Sequence, residues 1–281
     1  MGLVHSVQLE YSIVGFAVGV LMGMTGVGGG SLTTPLLILL FGIHPATAVG
    51  TDLLYAAATK IVGSVSHGLR RTIDWQVVRR LAVGSAPMTV LTLLALSRFD
   101  IKGPTARELI GGVLSAALLL SAATLLFGER MRSAYTASVG PLDSRRTAAV
   151  TVAVGAVLGT LVSISSVGAG SIGVIALILL YPRLPTARVV GSDIAHAVPL
   201  TLAAGIGHWI LGSIDWHILG SLLVGSLPGI LIGSYMAVRM SDTMLRRLLA
   251  GMLIVVAIRL FVELDPFSFS VTPTIAAHYT G

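Results

Sequence analysis

The stretch "GMTGVGGGSLTTP", Gly23 to Pro35, lies inside an apolar run that extends from Tyr11 to Phe41. Glycine costs a helix about 1 kcal/mol per residue relative to alanine, so a helix through this stretch would break near its middle. The run is too long for one plain membrane-crossing helix and too short for two. A second run, 147 to 181, has the same property and is cut by "SSVGAGS", Ser165 to Ser171.

The two cuts are copies of one another. "GVGGGSLTTPLLILLF" (Gly26 to Phe41) aligns with "SVGAGSIGVIALILLY" (Ser166 to Tyr181) at an offset of 140 residues. After a one-residue slip the match continues: "GTD" at Gly50 falls on "GSD" at Gly191, His67 on His208, "IDW" at Ile73 on "IDW" at Ile214, and "GSAP" at Gly84 on "GSLP" at Gly225. The chain is an internal duplication.

Composition places both copies in a bilayer. Of 281 residues 54% are hydrophobic and only 11% charged, with a mean hydropathy of +0.92, where an ordinary soluble domain carries ~25% charge. The absence of cysteine excludes disulfides, thiol redox chemistry and cysteine metal sites. The net charge of +6 reads as cytoplasm-facing arginine rather than as a nucleic-acid surface. The first ten residues, "MGLVHSVQLE", lack the basic start of a cleaved signal, so the whole chain is taken as mature protein.

Six runs reach the ~20 residues needed to cross: 46 to 68, 78 to 97, 107 to 127, 187 to 212, 217 to 239 and 244 to 262. The two "IDW" loops indicate how the halves sit. "RRTIDWQVVRR" carries four arginines and "LGSIDWHILG" none, so the positive-inside rule puts the two equivalent loops on opposite faces. If each Gly-cut run is a hairpin that returns to its own side, thirteen basic residues face the cytoplasm. Only Arg98, Lys102, Arg107 and Arg259 lie outside, together with both termini. If each cut run crossed once, the bias would vanish. The charge rule does not separate re-entrant hairpins from pairs of short crossings. Trp75, Trp209 and Trp216 fall at span ends, as interfacial anchors do.

The expected fold is therefore an all-α polytopic membrane protein with an inverted repeat, each half a Gly-broken re-entrant or short-helix hairpin plus three transmembrane helices. The expected divisions are a first repeat at 1–128, a cytoplasmic linker at 129–146, a second repeat at 147–265 and a tail at 266–281.

Non-helical backbone at membrane depth is tolerated only where it lines a cavity, and paired breaks in inverted halves point to a transport site near the midplane. Each break precedes a helix, whose bare N–H groups and positive dipole end favour an anion. The expected binding residues are Gly28, Gly29, Gly30, Ser31 and Thr34, with Thr33 beside them, and Ser165, Ser166, Gly168, Gly170 and Ser171 in the second break. The plain alternative is that these glycines only permit close helix packing. Lys60 is the one ionisable residue well inside a confident span. It can hold the anion, titrate in proton coupling, or pair with Asp52 or snorkel; its counterpart is Thr201. Asp52 and Asp193 follow Gly-Thr and Gly-Ser, a pattern that caps a helix start, and capping is preferred there over coupling. They remain coupling candidates with His67 and His208; structural roles are preferred for the histidines, and His196 has no histidine counterpart.

At these residues the chain resembles the sulfite exporter TauE/SafE family of membrane permeases. The resemblance rests on "GVGGGSLTTPLLILLFGIHPATAVGTDLL" (Gly26 to Leu54), its echo from Ser166 to Asp193, and the duplicated architecture over essentially the whole chain. It implies secondary transport, often export, of small sulfur-containing anions such as sulfite, sulfoacetate and other organosulfonates; some members take other organic anions. The family's Gly-rich signature falls on Gly26, Gly28, Gly29, Gly30 and Pro35, and its small-residue-plus-Asp turn on Gly50, Thr51 and Asp52. The second copy departs at Ala169 and Ile175. Related thiosulfate carriers use cysteines, which this chain lacks.

The function expected is a secondary transporter, an exporter of sulfite or organosulfonates, working by alternating access in a bacterial or archaeal plasma membrane. A small anion, protons as coupling ion and the lipid bilayer are its expected partners. No nucleic acid, cofactor, metal or enzymatic activity is expected. The alternatives are a passive anion channel, a carrier of other organic anions, and an intramembrane hydrolase using Ser171 or Ser166 with His196 or His208.

Overall fold

The computed structural model describes residues 8–25, 30–69, 71–138, 143–237 and 242–264. These form ten helices: α1 (Leu9–Thr25), α2 (Gly30–Phe41), α3 (Pro45–Leu69), α4 (Trp75–Leu96), α5 (Pro104–Ser138), α6 (Ser144–Ser165), α7 (Ile172–Leu180), α8 (Thr186–Ile210), α9 (Trp216–Ala237) and α10 (Asp242–Leu264). No strand occurs among the described residues.

Five of the helices are long and apolar enough to cross a bilayer: α4, α5 over Pro104–Met131, α6, α8 and α9 over Trp216–Gly233. Helices α3 and α10 have the length, at 25 and 23 residues, and α3 carries Asp52 and Lys60 among its apolar residues. Exposure is the reverse of a water-soluble protein. Leu231, Ile210 and Val262 are 74%, 79% and 69% exposed, whereas Asp52, Asp193 and Thr34 are fully buried. Apolar side chains face lipid and polar ones face the interior, as expected where the solvent is hydrocarbon.

Both Gly-cut runs are helix pairs, and they are unequal. In the first, α1 has 17 residues and α2 has 12. In the second, α6 has 22 residues and α7 only 9, about 33 and 14 Å at 1.5 Å per residue. One arm of the second pair is thus a full crossing, because α6 starts ahead of the apolar run. The Asp143 carboxylate accepts the Ser144 N–H at 2.8 Å there. Helix α5 likewise continues to Ser138, so helix occupies the first part of the expected linker. The expected tail at 266–281 lies outside the described residues.

The packing comes in matched pairs under the repeat offset. Helix α1 lies along α9 and α6 along α4, while α3 packs on α8 and α5 on α10. Glycines set the first two contacts. A methyl group on Gly15 or Gly19 would collide with the backbone of Leu222 or Ser226, and one on Gly155 or Gly159 with that of Leu81 or Ser85. Residue numbers rise together in these contacts, so α1 and α9 run parallel, as do α6 and α4. Small residues spaced by four permit this backbone approach. By contrast α3 and α8 are antiparallel: Gly50 meets His208, Leu54 meets Gly205, and His67 meets Gly191.

The duplicated "IDW" turns lock this arrangement. The Asp74 N–H donates to Ser192 Oγ at 2.8 Å, and the Asp215 N–H donates to Thr51 Oγ1 at 3.0 Å. Each aspartate side chain then caps the next helix, Asp74 on Gln76 and Val77, Asp215 on His217 and Ile218. Gly50 and Gly191 must lack a side chain because the Ser213 and Thr72 carbonyls stand where it would be. The largest apolar core joins α1, α2, α3, α5, α9 and α10, with Tyr55, Leu114, Leu222 and Leu253 buried in it.

Candidate functional site

Asp52 and Asp193 lie seven residues inside α3 and α8, so neither caps its own helix, and Gly50 to Asp52 is not a turn. The reason is upstream: "PATAV" and "TARVV" are compatible with helix, and Pro45 fits a first helical position, where its missing N–H costs nothing. In each copy the Gly-[Thr/Ser]-Asp triplet therefore divides its work within one helix. The glycine admits the opposite turn, the hydroxyl receives that turn's N–H, and the aspartate points to the short helix of its own half.

The two aspartates meet unlike surroundings. Thr34 Oγ1 donates to Asp52 Oδ2 at 2.7 Å, with the Thr33 and Ser166 hydroxyls also beside that carboxylate. In the second copy Gly173 and Val174 stand where Thr33 and Thr34 stand in the first. Asp193 consequently lies directly against Gly173, in the first turn of α7. Both of its oxygens are without a hydrogen-bond partner; the Gly170 N–H is near it but outside regular geometry.

Lys60 bridges the halves. It is 8% exposed, and its Nζ donates to the carbonyl of Ala169, in the second break, at 3.3 Å. It neither snorkels to the surface nor closes an ion pair with Asp52, yet both Asp52 and Asp193 act on it electrostatically. The break itself is shaped by three residues with positive φ, Ser166 at 60°, Gly168 at 126° and Gly170 at 114°. The last two conformations suit glycine alone. Among the described residues, seven buried side-chain atoms have no hydrogen-bond partner. Five of them are here: Asp52 Oδ1, Ser166 Oγ, both oxygens of Asp193, and Nδ1 of His196. Native interiors pair most buried polar groups, so this concentration singles out the break as the candidate site.

The other expected residues divide as follows. Gly28 and Gly29 lie outside the described residues, and Gly30 is the first residue of α2. Ser31 is buried near the start of that helix. Ser165 turns back on its own chain, donating to the Leu161 carbonyl at 2.7 Å and accepting the Val167 N–H at 3.3 Å. Ser171 donates to Ser121 of α5 at 2.9 Å. His67 and His208 make equivalent contacts in the two copies. Each contacts its own turn, His67 at Thr72 and His208 at Ser213, and His208 also contacts the Ser163 carbonyl at 2.9 Å. These are structural contacts.

The serine–histidine pairing that a hydrolase would need, from Ser166 or Ser171, is not formed. His196 instead contacts Ser85 Oγ at 2.8 Å, across 111 residues. Sequence reading missed this pair, and one signal was available: the repeat sets Tyr55 opposite His196 and Ser226 opposite Ser85, and Tyr55 lies beside Ser226. A second missed feature is at the end of α7, where the Tyr181 hydroxyl accepts from Arg80 at 3.0 Å and shares a 2.8 Å hydrogen bond with Thr151. Its first-copy counterpart is apolar, Phe41 packed on Tyr11 with centroids 4.6 Å apart.

If all three central charges are ionised, two carboxylates and one ammonium leave a net charge of −1. Like charges 4 Å apart repel by about 4 kcal/mol at an effective dielectric of ~20. Entry of an anion thus requires Lys60, the donors of the break, and some relief of the carboxylates.

Comparison with known proteins gives the family. The sequence profile of the family described as "Sulfite exporter TauE/SafE" matches residues 11–260. The chain is 40% identical over 251 residues to the "Probable membrane transporter protein YjnA" of Bacillus subtilis (strain 168), covering 88% of this chain and 97% of that protein. It is 28% identical over 207 residues to YdhB of the same organism, likewise named a probable membrane transporter protein, covering 73% and 80%. With "Probable membrane transporter protein MJ0441" of Methanocaldococcus jannaschii it shares 25% identity over 211 residues, 73% of each chain. No solved structure matches.

Proposed function

The chain belongs to the sulfite exporter TauE/SafE family of integral membrane transporters, and from that premise we propose that it carries small sulfur-containing anions, sulfite or organosulfonates, as a secondary exporter. The observation that supports this reading is the Lys60 ammonium held at the second break, where the buried Ser166 hydroxyl is unpartnered. A sulfonate or sulfite presents tetrahedral or pyramidal oxygens that accept from several directions, which suits an ammonium, hydroxyls and backbone N–H groups converging from different helices. Ser166, Gly168, Gly170 and Lys60 form the second side of this site, and Gly30, Ser31 and Thr34 the first.

No nucleotide-binding motif is present in the sequence, so gradients drive the cycle, with protons as coupling ion. Access alternates between the arginine-rich face, taken as cytoplasmic, and the face bearing both termini. Because α1 belongs with α9 and α6 with α4, the halves read along the sequence do not rock as separate bodies. Movement of the short helices α2 and α7 against the α3–α8 pair supplies the gate.

Binding of a panel of sulfite, sulfonates and carboxylates to purified protein tests the assignment, with Lys60→Ala as control. Sulfite or sulfonate binding that weakens by about tenfold or more in the variant, a loss of 1.4 kcal/mol, supports it. Proteoliposome flux no faster than in empty vesicles, with or without a pH gradient, sinks it. Flux that no imposed gradient can drive uphill identifies a passive channel instead.

A further inference from the structure

Asp52 and Asp193 are equivalent in the repeat and unequal in what surrounds them. Asp52 keeps the Thr34 hydrogen bond, with the Thr33 and Ser166 hydroxyls nearby. Asp193 has the charge of Lys60, the nearby Gly170 N–H and the amino-terminal end of α7, against which it is pressed at Gly173. The carboxylate thus occupies, with the chain's own oxygens, the place where a helix dipole and an ammonium would receive a ligand anion.

We propose that substrate anion and the Asp193 carboxylate compete for the same two attractions, Lys60 and the first turn of α7, and that Asp193 takes up a proton when the anion displaces it. This rests on the transporter reading above and assigns its coupling residue. The step balances simply: Asp193 gains one proton from solution, its carboxylate becomes a neutral carboxyl, and the Lys60 charge acts on the anion instead. An unpaired charge left buried at this depth is too costly to persist. Anion and proton are therefore bound together and travel in the same direction, so an exported dianion leaves with one proton.

Other charges facing Asp193 do not offer a rival carrier. From α3 there is Lys60, with Asp52 beyond it on the same helix, and His67 at Gly191, engaged with Thr72; from α4 Arg80 is turned to Tyr181. From α8 itself there is His196, engaged with Ser85, while Arg188 is turned to Asp74 of the α4 cap at 3.4 Å. Helix α7 contains no titratable side chain apart from its terminal neighbour Tyr181, and α6 holds its arginines, Arg145 and Arg146, at the opposite end from the break.

Proteoliposomes containing a trapped pH-sensitive dye test this, with methanesulfonate as the probe because it stays ionised throughout. In the wild type, an inward sulfonate gradient is expected to acidify the lumen, and sulfonate affinity to fall by up to about tenfold per pH unit above the Asp193 titration. Asp193→Asn is expected to lose proton movement and the pH dependence of binding. Val174→Thr supplies the hydroxyl that Asp52 enjoys and is expected to move the pH profile to lower pH, which keeps the test available if the first variant does not fold. Sulfonate flux without lumen acidification, or an unchanged pH slope in Asp193→Asn, overturns the coupling assignment alone. Absence of any flux in the wild type overturns the transporter reading with it.

Discussion

The carboxylate of Asp193 rests against the α-carbon of Gly173, so closely that a single methyl group at 173 would collide with Oδ1. In the first copy that position is Thr33, and Asp52 is met by hydroxyls. One pair of substitutions between copies thus converts a hydrogen-bonded acid into an unpartnered one. Gly173→Ala is expected to push Asp193 off α7 and lower anion flux on the order of tenfold or more, since misplacement by an ångström is costly in a positioned site. Flux at the wild-type rate would show that the contact has no part in transport.

Thr34→Val removes the donor to Asp52 Oδ2. A buried acceptor left without its partner costs about 1–3 kcal/mol, more when charged. The melting temperature in detergent is expected to drop accordingly. The drop should shrink on an Asp52→Asn background, where the hydroxyl no longer serves a charge. Equal losses on both backgrounds would mean that Thr34 matters for packing and not for the carboxylate.

Gly225→Ala places a methyl group into the Ser12 backbone of α1, whereas Gly220 on the same helix has open space around it. Overpacking of this kind costs about 1–3 kcal/mol and occasionally more. Thermal stability is expected to fall for Gly225→Ala and to stay unchanged or rise for Gly220→Ala. Similar melting curves for the two variants would contradict the close α1–α9 approach.

His44, in the turn before α3, accepts the Ala46 N–H on Nδ1 at 3.3 Å. Burial, with Arg107 and Lys102 nearby, holds its pKa below the usual value of 6.5. Its folded pKa is lower than its unfolded one, so the unfolded chain takes up a proton first. Stability is lost as pH falls through 6.5 toward the folded value, and is fully present above it. The effect is modest because the imidazole is partly solvated. Melting temperature followed between pH 7.5 and about 5 should decline less steeply in His44→Gln than in the wild type; identical slopes would remove His44 from the account.

Much of this was readable in the sequence because the duplication is written in identical words. Gly26 to Phe41 and its copy located both breaks, and Lys60 announced itself as the only charge deep in a confident span. What could not be read was which element meets which. Copies with the same local pattern look alike however the halves dock, so Gly15 and Gly19 were lost among 33 glycines. The triplets at Gly50 and Gly191 imitate a helix start, and only the opposite "IDW" turn, more than a hundred residues away, explains their glycine and hydroxyl. The Thr33/Gly173 difference was visible in the alignment of the copies. Its meaning required knowing that Asp193 reaches back to α7.

The interlocked pairing also sets a timetable for the birth of the molecule. Helix α1 is made first, but its parallel partner α9 begins only at Trp216, roughly 10–40 s later at 5–20 residues per second. Throughout that interval the glycine seam of α1 has no mate, and it must rest against lipid or a chaperone in the membrane. A ribosome stalled between the copies would release a first half that cannot close on itself, which makes late synthesis, rather than insertion of any single helix, the step most exposed to quality control.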